Sequence, residues 1–262
     1  MTEEREAPSR PGTDAARRPE PPDEEPVAHA VGVGPGPGQL TGRARSLLSG
    51  ADVVVGFETV VDLVREHTDA TTLTCGYKDE AAALEGFADR VAAGAAGVAV
   101  LMGDPNVSGY QFLGKVERAV EGAVGVVPGV SSVQVAASRA RTPLERSTVL
   151  SFHRRGSVEG VLDRFTRAVG RQHLLVIPRP YDWMPEDLAR HAVDRGADPG
   201  LDALVFERLT QAEETTTRST LGTLAGDTGD GPEGTAFSDL SVLAVRAPQA
   251  RADPATAMED EE

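Results

Sequence analysis

The sequence predicts an α/β fold of two layered domains with a cleft between them. Three observations lead there. Short apolar runs alternate with amphipathic helical segments from residue 29 to about residue 195, the pattern of helices packed on sheets. The alternation restarts after a break at Thr142–Arg146, so the elements form two series. Beyond residue 210 the pattern turns to period-two segments, which read as edge or antiparallel strands. A chain of 262 residues is long enough for one large or two small domains, each with a sizeable core.

The elements follow in order. HAVGVG (29–34) is a buried-type strand, residues 40–50 suit a helix stopped by Gly50, and ADVVVG (51–56) is a second strand. Residues 58–67 and 79–94 have amphipathic helical spacing. GVAVLMGD (97–104) is a strand running into a loop, 109–121 a helix, GAVGVVPG (122–129) a strand and 130–141 a helix. The second series opens with RSTVLSFH (146–153), followed by a helix over 157–169, the strand HLLVIP (173–178), a helix over 185–195 and the strand LDALVFERL (201–209); YDWMPEDL (181–188) forms either a lid or the N-capped start of the 185–195 helix. TTTRSTLGTL (215–224) and DLSVLAVRA (239–247) alternate as strands, and AGDTGDGPEG (225–234) is a turn-rich loop. The expected division is a polar, Pro-rich tail over 1–27, an N-terminal domain over 28–143, a C-terminal domain over 144–247 and an acidic tail over 248–262.

Composition narrows the function. The net charge of −15 disfavours nucleic acid and anionic lipid as partners. Lys78 and Lys115 are the only lysines. An acidic, Ala/Val-rich, arginine-dominated chain resembles salt-adapted, halophilic proteins, in which salt screens the self-repulsion. One cysteine, Cys75, excludes an intramolecular disulfide framework and suits a reducing, cytoplasmic setting. No apolar run reaches membrane-spanning length, and the N-terminus lacks the apolar segment of a secretory signal. The histidines are scattered, so no metal site is indicated.

Function is expected at three loops that follow strands. AVGVGPGPGQLT (30–41) begins like a dinucleotide fingerprint, but Pro37 stands where the third glycine belongs. Pro35 and Pro37 also remove backbone N–H groups where a pyrophosphate would need them. No G-K-[ST] follows, so a P-loop is excluded. MGDPNVSGY (102–110) and PGVSSVQVAASR (128–139) are the other two loops. Ligands of open α/β sheets gather at the carboxyl ends of strands, and small residues let them approach the backbone. A donor-poor, lysine-free loop suits a cofactor without phosphate, and S-adenosylmethionine is one; acidic and carbonyl-rich walls suit its sulfonium. Asp104 offers a carboxylate for ribose hydroxyls or for a cation. Ser131 and Ser132 either cap the following helix or present hydroxyls to a ligand.

Together, VGVGPGPGQLT, GDP and PGVSS resemble the tetrapyrrole (corrin/porphyrin) methylases, two-domain class III methyltransferases that use S-adenosylmethionine. The resemblance spans about residues 29–247. Within the family, residues 126–156 are similar to the branch that methylates C5 of cobalt-precorrin-7 in anaerobic cobalamin synthesis. Two departures stand out: Arg154 replaces the glycine expected after His153, and Asn106–Ser108 lacks an expected aromatic residue. The resemblance implies a cofactor folded in the inter-domain cleft, contacted by Pro35, Met102, Gly103, Asp104, Val107, Ser131 and Ser132, with Pro178 and Leu209 closing from the second domain. It implies a homodimer and, because no C15-methylating decarboxylating domain is present, a separate partner enzyme for that step.

Methyl transfer to carbon needs positioning and desolvation rather than an enzyme nucleophile. The substrate's rim of carboxylates calls for local cations. Arg154 and Arg155 are the candidates, with Ser108 beside them as a further substrate contact. His153 either assists proton loss from the macrocycle or is structural. Glu207 either lines the cleft or is a surface charge, and Glu213 and Glu214 read as surface charges. Alternatives within the family are another precorrin position or diphthine synthesis. Outside it, the alternative is a dinucleotide-binding or non-catalytic α/β protein.

Overall fold

The computed structural model describes residues 25–76, 78–107, 109–154, 156–180, 182–227 and 234–248. Most of the two expected tails lies outside the described residues, as do Ser108, Arg155 and part of the 225–234 loop.

The first half comprises β1 (Ala28–Gly32), α1 (Gly42–Ser49), β2 (Val53–Phe57), α2 (Glu58–Asp62), β3 (Thr71–Cys75), α3 (Glu80–Ala92), β4 (Gly97–Leu101), α4 (Tyr110–Ala119), β5 (Val124–Val127) and α5 (Ser132–Ala140). Its sheet has the order β3-β2-β4-β1-β5 and is parallel throughout. Helices cover both faces, which is why the central strands are apolar at every position. Val53, Val55, Ala99 and Leu101 pack on one side with Leu84 and Phe87 of α3 and Phe112, Leu113 and Val116 of α4. The intervening Val54, Val98 and Val100 pack on the other side with Ala44 and Leu48 of α1 and Val60 and Val61 of α2. Burying each large apolar side chain contributes about 1.5–3 kcal/mol relative to leaving it exposed.

The second half comprises β6 (Ser147–Ser151), α6 (Glu159–Ala168), β7 (His173–Ile177), α7 (Pro185–Asp194), β8 (Asp202–Glu207), β9 (Thr215–Thr220), α8 (Leu221–Gly226) and β10 (Ser241–Val245). Its sheet has the order β6-β7-β10-β8-β9. β6 and β7 are parallel, β10 runs antiparallel to β7 and β8, and β9 runs antiparallel to β8. α6, α7 and α8 cover one face through Phe165, Leu188, Leu221 and Leu224. The other face is covered by α5: Val133, Ala136, Ala137 and Ala140 pack on Leu175, Leu204, Phe206, Val242 and Ala244. The helix that follows the first sheet's last strand therefore belongs to the core of the second sheet.

Three details differ from the sequence reading. The segment 58–67 is a helix only to Asp62, followed by a 3-10 turn at Arg65–His67. β3 was not anticipated. The 215–224 stretch divides: β9 ends at Thr220, whose hydroxyl caps α8 by accepting the Thr223 N–H at 3.2 Å. The expected edge or antiparallel character holds for both late strands: β9 is an antiparallel edge strand, and β10 is antiparallel to both neighbours at the centre of its sheet, with all five residues buried.

Candidate functional site

β4, β1 and β5 are neighbours running in the same direction, so the loops that follow them share one edge of the first sheet. These loops touch backbone to backbone. Gly34 and Gly103 exchange hydrogen bonds: Gly34 N–H donates to the Gly103 carbonyl at 3.2 Å, and Gly103 N–H donates to the Gly34 carbonyl at 2.9 Å. A Cβ on Gly32 would lie 2.6 Å from both the Gly103 carbonyl oxygen and the Gly129 nitrogen, so only glycine permits this approach.

Asp104 ties the second loop to the third. Its Oδ2 accepts the Gly129 N–H at 3.0 Å, and its Oδ1 accepts the Asn106 N–H at 2.8 Å. Ser131 caps α5: its Oγ accepts the Gln134 N–H at 3.1 Å, and Gln134 Oε1 accepts the Ser131 N–H at 2.8 Å. The N–H groups of Gly34, Gly103, Gly129 and Ser131 are thus all engaged within the protein. Residues 34–38, 102–107 and 128–131 contain no Lys or Arg. Such a wall is poorly equipped for phosphate.

The second half reaches the first loop through residues 208–214. Gln211 Nε2 donates to the Pro35 carbonyl at 3.2 Å. Gly36 lies against Thr210, where a Cβ would come 2.7 Å from Oγ1. Arg208 and Thr210 both adopt left-handed backbone, at φ 48° and 67°, which is unusual for a β-branched residue such as Thr. Glu214 holds this turn. Its Oε2 accepts the Thr210 N–H at 2.7 Å and its Oε1 accepts from Arg139 Nε of α5 at 3.0 Å. Arg139, and then the Thr210 N–H, keep the Glu214 carboxyl below its ordinary pKa. Thr210 Oγ1 is buried with no hydrogen-bond partner among the described residues. An orphaned hydroxyl beside the Pro35–Gly36 loop is the kind of group a ligand satisfies.

The family profile of Tetrapyrrole (Corrin/Porphyrin) Methylases matches residues 28–225. The chain belongs to the tetrapyrrole methylases. This methylase is accordingly an S-adenosylmethionine-dependent methyltransferase. Its fold is similar to three solved structures. A cobalt precorrin-4 methyltransferase is 20% identical, with TM-score 0.67, over 84% of this chain and 95% of that one. The precorrin-6Y methylase of Archaeoglobus fulgidus is 20% identical, with TM-score 0.57, over 84% and 98%. The uroporphyrin-III C-methyltransferase of Thermus thermophilus, in complex with S-adenosyl homocysteine, is 24% identical, with TM-score 0.61, over 84% and 96%. No curated protein sequence gives a significant match.

The residue chemistry of this methylase fits a phosphate-free cofactor: engaged N–H donors, a buried carboxylate and an orphaned hydroxyl line the loops. Pro35, Gly103, Asp104 and Ser131 lie together on the three contacting loops. Ser132 is the first residue of α5, half-buried beside them. Met102 packs toward α1 and α2, whereas Val107 and Leu209 join the cluster around α5. Pro178 is buried directly after Ile177, which packs on that same cluster.

His153 and Arg154 are exposed beyond β6, and their side chains make no hydrogen bond to the three loops among the described residues. Phe152 before them is fully buried, 6.2 Å between ring centroids from both Phe165 and Trp183. Arg179 braces the same turn by donating to the Gly156 carbonyl at 3.0 Å and the Arg154 carbonyl at 3.5 Å. Within YDWMPEDL, Met184 is the N-cap of α7, with Asp187 Oδ2 accepting the Met184 N–H at 3.0 Å. Glu207 braces β8: its oxygens accept from Ser238 N–H at 2.7 Å and Thr215 Oγ1 at 3.0 Å.

Sequence reading missed Arg139, Thr210, Gln211 and Arg179, and it left Glu214 as a surface charge. Their partners lie as far as 176 residues away, so no local motif marks them. Among the described residues, no group of three or more His, Cys, Asp or Glu is placed to hold a metal ion, and no helix is long and apolar enough to cross a membrane.

Proposed function

We propose that this methylase transfers a methyl group to C5 of cobalt-precorrin-7. The observation that carries this reading is the run 126–156, which resembles the C5-methylating branch in both its PGVSS and its SFHRRG segments. These segments fall at the exits of β5 and β6. S-adenosylmethionine supplies an electrophilic methyl group on a sulfonium whose departure as a thioether needs no acid.

What remains for the chain is placement, exclusion of water and removal of one proton from carbon. Pro35, Met102, Gly103, Asp104, Val107, Ser131 and Ser132 would line the donor site, with Pro178 and Leu209 closing it. Asp104 acts here mainly through its two backbone hydrogen bonds, by fixing the second loop against the third. Arg154, with Arg155 and Ser108, would meet the substrate's carboxylates, and His153 would accept the proton. Cytoplasmic placement, a homodimer and a separate C15-methylating decarboxylase complete the proposal.

An anaerobic assay with cobalt-precorrin-7 and isotopically labelled donor tests it. Label at C5 is expected. Label at another carbon, or none on this substrate, overturns the substrate assignment and leaves the family intact.

A further inference from the structure

The amino-terminal ends of β6 and β7 and the carboxyl end of β10 meet at the edge of the second sheet opposite the exits of β7 and β8. A five-residue strand separates the two edges by about 16 Å. There, a recess of about 580 Å³ is lined by Arg141, Arg146, Arg171, Gln172, His173 and Arg246. Four arginines thus line one concavity of a chain whose net charge is −15.

Among the described residues their neutralisation is incomplete. Arg246 Nη1 pairs with Asp202 Oδ2 at 3.3 Å, but its Nε is buried without a hydrogen-bond partner among the described residues. The side chains of Arg141, Arg146 and Arg171 have no ion pair or hydrogen bond among the described residues. Arg141 ends α5 in left-handed backbone, φ 56°, a position that glycine ordinarily takes.

His173 forms part of the same wall. Its Nδ1 accepts the Ala247 N–H at 3.1 Å, so its neutral form carries the proton on Nε2 and offers one more donor. Burial, followed by Arg146 and Arg246, holds its pKa below the ordinary value, as expected where the local potential is positive.

We infer that this recess is a second binding site, distinct from the methyl-transfer loops, for a small anion carrying several phosphate or carboxylate groups. The volume suits a small molecule. Arginine forks suit planar or tetrahedral oxyanions, each taking two parallel N–H donors. A monovalent ion would engage too few of the four guanidinium groups to overcome the repulsion of the whole chain.

Titration calorimetry on the full chain at low ionic strength, with inorganic pyrophosphate in one arm and citrate in the other, tests the inference. One-to-one binding of either is expected, and the preferred arm identifies phosphate or carboxylate as the source. The double variant Arg146→Gln/Arg171→Gln, both exposed positions, should lose at least about tenfold in affinity. It should bind S-adenosylhomocysteine as before, which separates this site from the proposed methyl-transfer function. Absence of binding in both arms overturns the inference, as does undiminished affinity in a double variant whose circular dichroism is native.

Discussion

Asp104 Oδ2 accepts the backbone N–H of Gly129, 25 residues along the chain and on a different strand exit. With Asn106 on its other oxygen, this carboxylate holds the second and third loops in register. Asp104→Ala leaves two N–H groups without partners. It is expected to cost about 1–3 kcal/mol of stability and to weaken S-adenosylhomocysteine binding about tenfold. Thermal unfolding and calorimetry measure the two effects. Unchanged values in both would show that the loops hold their arrangement without this brace.

Gly36 and Thr210 are a complementary pair across the two halves. A methyl group on Gly36 would crowd Thr210 Oγ1 at 2.7 Å and the Thr210 carbonyl oxygen at 3.0 Å. Gly36→Ala should destabilise by about 1–3 kcal/mol. Adding Thr210→Ala removes the crowded hydroxyl and should recover part of that loss. A double-mutant cycle with no interaction energy would contradict the contact.

Glu214 makes the 208–214 turn sensitive to acid. Its native pKa lies below the ordinary value of 4.5, chiefly because of Arg139. The stabilisation is therefore fully present above pH 4.5 and is lost as the pH falls through the depressed native value. Glu214→Gln should lower stability near neutrality and remove this part of the acid slope. Because the Arg139 side chain is half exposed, the effect should shrink with added salt. Denaturant midpoints between pH 3 and pH 7 provide the check, and parallel pH profiles for the two proteins would refute the assignment.

Cys75 is buried, and its thiol lies 3.5 Å from the Gly56 carbonyl. Burial, with Glu80 and Asp79 adding to it, pushes its pKa up to about 11. At pH 8 the thiolate is scarce in the native protein, so alkylating reagents should modify Cys75 slowly. Full modification is expected only on unfolding. Rapid labelling of native protein, read by mass spectrometry, would mean that β3 opens readily.

Much of the fold was legible because a doubly covered parallel strand must be apolar throughout. The runs at Val53–Val55 and Gly97–Leu101 are therefore visible without any structure. β3 was hidden for the converse reason. It is an edge strand reading Thr-Thr-Leu-Thr-Cys, with four of its five residues partly or fully exposed. α8 was masked by the threonine run of β9, whose last member, Thr220, serves as its cap. The three loops of the site were legible as glycine- and proline-rich turns at strand exits. The ties between halves were not, because Gln211–Pro35 and Arg139–Glu214 join ordinary polar residues 176 and 75 positions apart.

The place of α5 has a consequence for how the chain is made. This helix leaves the ribosome before any strand of the sheet it covers. Its apolar face, Val133, Ala136, Ala137 and Ala140, must wait for Val242 and Ala244 of β10, the last strand of the described chain and a central one in its sheet. The first half can complete its sheet during translation. The second stays open along its middle until residue 245 has emerged, so nascent chains stalled before that point would expose α5 and the flanking faces of β7 and β8 to chaperones.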